Sequence, residues 1–147
     1  MKKDVLIKIR GVSNVDGEDS VIELFTSGSY YKRNGKYYIS YKETSDDEPG
    51  EVTTTIKVDN PLKVTMLRDS GGTNLVMEKN KRHVCYYNTP MGEMFMGIFA
   101  AEVRSSLDER GGDIYMSYAI DFNAAAASQN ELAVQVIERD KKMEGTV

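Results

Sequence analysis

Cysteine is nearly missing from this 147-residue chain: Cys85 stands alone. No internal disulfide can form, and one unpartnered thiol suits a reducing compartment better than a secreted one. Long apolar runs are missing too. Asp4, Lys8 and Arg10 interrupt the stretch after Met1-Lys2-Lys3, which leaves no signal-peptide core, and no later run approaches the length of a membrane span. Excess positive charge is also lacking. The 19 basic and 23 acidic residues give a net charge of −4, and they are spread along the chain, so no bulk field favours nucleic acid or an anionic membrane. These absences set the expectation of an unanchored cytoplasmic protein. Chemical signatures are absent as well: no Gly-rich phosphate loop ending in Lys-Ser or Lys-Thr, no dinucleotide fingerprint, no Gly-x-Ser-x-Gly elbow and no Cys-x-x-Cys pair. No catalytic residue, metal site or cofactor is assigned, and an enzymatic role is unsupported.

Helix periodicity and internal repeats are nearly or wholly absent, and what fills the chain is alternation of period two in stretches rich in Val, Ile, Thr, Tyr and Phe. Strands are predicted over residues 4–12, 20–33, 37–42, 51–58, 62–68, 74–79, 82–88, 94–103, 113–122 and 131–138. Asn34-Gly35 is the strongest short hairpin signal, Gly28 marks a bulge or bend in a long strand, and Ser105 to Gly112 reads as a polar turn or one helical turn. In Met94 to Val103 both faces are apolar, as for a strand covered on both sides. The alanine run Ala124 to Ala127 reads either as a short helix plugging one end or as a flexible connection. About ten short strands without crossover helices predict an all-β fold: a single antiparallel barrel, since closure removes the sheet edges. At 16.5 kDa it is one domain, residues 1–139, followed by a charged tail, residues 140–147.

Ser29-Tyr30-Tyr31, Tyr37 to Glu43, Met66-Leu67-Arg68, Gly92-Glu93 and Asp113 to Tyr118 fall in an order that resembles the YwiB-like family of small bacterial calycin-type β-barrels. The likeness covers roughly residues 3 to 138. It implies a lipocalin-like barrel of about eight to ten strands in a bacterial cytoplasmic protein, and it carries over no active-site residues. The turn from Asp69 to Thr73 is longer than the usual Arg-to-Gly turn of that family, and the alanine tract is atypical of it.

Candidate chemistry lies on the face predicted to point inward. Arg68 follows Leu62, Val64 and Met66, and Glu93 is in phase with Met91 and Phe95. A buried charge needs a partner. Arg68 is therefore read in two ways: as an anchor for an acidic group of a ligand, with Tyr41 and Tyr118 donating hydrogen bonds, or as a structural partner of Glu93. Tyr37, Met77, Phe95 and Met116 complete the candidate lining of an interior that holds a small, mainly apolar molecule. The predicted inward set also takes in Phe99. His83, Cys85 and Tyr87 share one strand face, which a plain strand face explains as well as a metal or thiolate site. The alternative function is an interaction or regulatory module that touches protein or RNA through the basic-aromatic hairpin of Tyr30, Tyr31, Lys32, Arg33, Lys36, Tyr38 and Lys42. Nucleic acid and membrane are not the expected partners, and the oligomeric state is not legible.

Overall fold

The alternating stretches become ten antiparallel strands in the computed structural model, which describes residues 2–45, 48–68, 74–89, 92–122 and 125–139. They are β1 (Lys3–Val15), β2 (Glu18–Arg33), β3 (Lys36–Ser45), β4 (Glu48–Asn60), β5 (Lys63–Arg68), β6 (Asn74–Glu78), β7 (Arg82–Thr89), β8 (Gly92–Asp108), β9 (Gly111–Phe122) and β10 (Ala125–Glu138). Each strand pairs with its sequence neighbours except at one place. β1 pairs with β10, from Val5 opposite Glu138 to Asn14 opposite Gln129, so the sheet order runs β6-β5-β4-β3-β2-β1-β10-β9-β8-β7. The sheet closes on itself along a short seam just past the end of β6, where Lys79 bridges Ala100 of β8 and the Asn80 amide donates to the Ala100 carbonyl at 2.7 Å. The result is a nearly closed barrel.

Antiparallel neighbours share a face, so the inward rows can be read from the register. Ile7, Ile39, Ile56, Val64, Met77, Ile98, Ile114 and Met116 are all less than 2% exposed and fill the interior. Burying each such side chain contributes about 1.5–3 kcal/mol. Asn34 and Gly35 have φ of 52° and 77°, the left-handed pair that a two-residue hairpin turn requires.

The two ends of the barrel differ. At the lower end lie the β2–β3, β4–β5, β6–β7 and β8–β9 turns, and at the upper end lie the β1–β2 turn and the ends of β3, β5, β7 and β9. β2 pairs with β1 from Glu18 to Tyr30 but with β3 only from Gly28 to Arg33. Above Gly28 the two strands fork. At the fork a Cβ on Gly28 would strike the Ser40 carbonyl oxygen and sit 2.6 Å from Ile7 Cδ1, so only glycine lets β2 approach β3 there.

Several expectations change. Phe95 and Phe99 were placed inside, but they are 46% and 40% exposed, and the inward phase of β8 belongs to Met96, Ile98 and Ala100. With both faces apolar the phase of this strand was undetermined, and the bulge between Ala100 and Glu102 then moves Val103 inward. Residues 105–108 continue β8 rather than turning. Ala125 to Ala127 form neither helix nor flexible connection but the start of β10, with Ala125 opposite Phe122. Ala124, the turn 69–73 and the tail 140–147 lie outside the described residues.

Candidate functional site

Arg68 ends β5 opposite Thr54 of β4, and Thr54 stands opposite Tyr41 of β3. The register therefore lays Arg68, Thr54 and Tyr41 side by side on the inner face near the upper end. Glu43, two residues beyond Tyr41, returns to the same face. Its Oε2 accepts a hydrogen bond from the Thr54 hydroxyl at 2.7 Å and lies 3.7 Å from Arg68 Nη2. Thr54 is buried and Tyr41 nearly so. Burial pushes the Tyr41 phenol well above its ordinary value, the Glu43 carboxylate adds to the rise, and Arg68 opposes it. Tyr41 thus stays a neutral hydroxyl donor.

Arg68 pairs with Glu43; the side chain of Glu93, the structural partner expected from the sequence, lies outside the described ones. One atom is left over. Arg68 Nε is buried and has no hydrogen-bond partner among the described residues, although the side chain as a whole is 40% exposed.

The remaining candidates scatter. Tyr118 is inward, opposite Asn130, with its phenol raised by burial. It lines an upper-end cleft of about 230 Å³ together with Ile9, Gly11, Ile22 and Leu132. Met77 and Met116 are fully buried in the filled interior. Tyr37 belongs to the other end, stacked on Tyr30 at 5.4 Å. Phe95 stands outside against Tyr86, edge to face at 4.8 Å. His83 Nε2 lies 2.8 Å from Glu78 Oε1, Cys85 is buried, and no metal-holding cluster occurs among the described residues.

In the basic-aromatic hairpin, Tyr31 and Tyr38 stack on each other at 4.9 Å, and Lys2 and Lys57 cover their rings. Faces that an RNA base needs for stacking are thus engaged by the protein's own groups. Glu43 and Thr54 were not singled out from the sequence. The signal was there: Glu43 is in phase with Tyr37, Ile39 and Tyr41, and an acid in phase with an apolar face demands a cation across the sheet.

Comparison with known proteins bears on the fold. A family model described as "Domain of unknown function (DUF1934)" matches residues 7–134. The uncharacterized beta-barrel protein YwiB of Bacillus subtilis (strain 168) is 29% identical over 114 residues, which are 78% of this chain and 79% of that protein. The crystal structure of the ywiB protein from Bacillus subtilis superposes with a TM-score of 0.83 at 24% identity, covering 95% of this chain and 94% of the other.

Proposed function

The chain belongs to the family described as Domain of unknown function (DUF1934), and from that premise we propose that it binds a small, mainly apolar molecule at the upper end of its barrel. Arg68 Nε carries this reading. A donor withdrawn from water without a partner costs about 1–3 kcal/mol, and a ligand acceptor arriving at that atom removes the cost. Glu43 refines the expected head group. An anion would meet the Glu43 carboxylate as well as Arg68, whereas a neutral carbonyl accepts from Arg68 Nε without that repulsion. Tyr41 beside it offers a second donor. The filled lower interior favours a small ligand.

Native mass spectrometry of gently purified full-length protein tests this. The expected result is a discrete adduct that disappears on denaturation and is lost in Arg68→Met. An adduct equally abundant in that variant places the ligand elsewhere. Bare chain in both proteins, with no melting shift across a panel of small carbonyl compounds, overturns the reading.

A further inference from the structure

The upper half of β2 is a sheet edge left uncovered. Residues 18–27 pair with β1 on one side, and no described strand pairs with them on the other. Natural edges are usually blunted by proline, lysine or a bulge. This one has none of the three, and it carries Val21, Ile22 and Phe25 at 51%, 70% and 64% exposure. Val21 and Phe25 share the outer face with Val12 and Lys8, their β1 partners, while Ile22 lies on the inner face opposite Gly11, where the missing side chain leaves it open.

We propose that this edge is covered by the same edge of a second copy, antiparallel about a twofold axis, joining two barrels through one continuous sheet. The symmetry is restrictive. Opposed residues of an antiparallel pair share a face, so the axis must pass through a residue. Centred on Glu23, two carboxylates would face each other. Centred on Val21, Asp19 would face Glu23 of the second copy. Centred on Leu24, the overlap stops short of Glu18 to Ser20. Centred on Ile22, residues 18–26 all pair and no acid opposes an acid: Glu18 meets Thr26, Asp19 meets Phe25, Ser20 meets Leu24 and Val21 meets Glu23. Like charges directly opposite are destabilising, so the positions of the three acids together with the length of the overlap select this register. Asp19 of the second copy also falls in the row of Phe25 and Lys8. The centre is apolar, Ile22 on Ile22, flanked by Leu24. The isologous contact closes after two subunits and builds no filament.

Sedimentation of the full chain across a dilution series reads the mass directly. The expected species is twice the 16.5 kDa chain mass, dissociating on dilution. Ile22→Lys is expected to be monomeric, and Val84→Lys, on the separate apolar patch of β7, to remain dimeric. Cysteine pairs then read the register. An oxidised Ile22→Cys variant is expected to form a disulfide-linked dimer, because its two Cα atoms face each other. Ser20→Cys is not, because its two copies stand about 13 Å apart along the strand, beyond the roughly 7 Å that a disulfide spans. A wild-type monomer at every concentration, a dimer that survives Ile22→Lys, or linkage of Ser20→Cys as readily as Ile22→Cys overturns the proposal.

Discussion

The lower end of the barrel and its upper end are made of the same strands, yet they treat polar groups in opposite ways. Below, several charges are matched. Asp59 lies 3.4 Å from both Lys36 and Lys57 and accepts from the Thr65 hydroxyl at 2.8 Å. Lys3 joins Glu138 and donates to the Glu109 carbonyl, while the Tyr30 hydroxyl donates to the Asp108 carbonyl at 2.6 Å. Above, Arg68, Glu43, Thr54 and Tyr41 gather inside, and Arg68 Nε stays unmatched. A barrel locked at one end leaves the other end free to carry polar groups that stability does not need.

The contrast breaks most readily in the filled interior. Met116→Ala is expected to cost about 3–4 kcal/mol in urea unfolding; a loss below about 1 kcal/mol would mean that Met116 lines a void. Gly28→Ala, which drives a methyl into the Ser40 carbonyl at the fork, is expected to lose about 2–3 kcal/mol. A neutral result there would show that β2 and β3 part freely.

Smaller effects sharpen the comparison. Thr54→Val leaves Glu43 without its hydroxyl donor and is expected to cost about 1–2 kcal/mol. Asp59→Asn is expected to cost about 1 kcal/mol at neutral pH and to flatten the acid limb of the stability curve. Burial pushes the Asp59 carboxyl up, but the Thr65 hydroxyl and the Lys57 and Lys36 ammonium groups outweigh it and hold the carboxyl below its ordinary 3.8. With the folded value depressed, the contribution is present above the unfolded value and lost as the pH falls through the folded one; thermal melts between pH 7 and pH 2 check this. Arg68→Met is expected to cost no more than about 0.5 kcal/mol, because its pair with Glu43 is partly exposed, and relief of the unpaired Nε offsets that loss. A large loss would make Arg68 a structural group like those below.

Local chemistry made much of this legible. Asn34-Gly35 announced its turn because few residue pairs accept two left-handed conformations, and Tyr37, Ile39 and Tyr41 announced their face because their neighbours are polar. Phe95 and Phe99 went astray where that contrast vanished, each apolar residue being flanked by others. The Arg68 partner was legible as a need but not as an identity. Glu93 matched by phase, and its side chain lies outside the described ones, whereas Glu43 is brought near by the β3–β4–β5 register, and register across several strands is not written in any one of them. The length of β10 was hidden because alanine signals no strand. The fork at Gly28 was foreseen as a bend and not as a parting of strands, because what β3 does above Tyr41 depends on the whole barrel.

The pairing of β1 with β10 carries a consequence for how the molecule comes into being. Every strand can zip onto a sequence neighbour as the chain emerges during synthesis, but the cylinder has no closed wall until residues 129–138 reach Val5 to Asn14. Until then one face of β1, including Ile7 and Ile9, has no cover from Val134 and Val136. Joining segments so distant in sequence is slow, because the loop entropy must be overcome before the contact forms. A nascent chain halted before β10 would expose an apolar strand edge, the kind of surface to which chaperones bind.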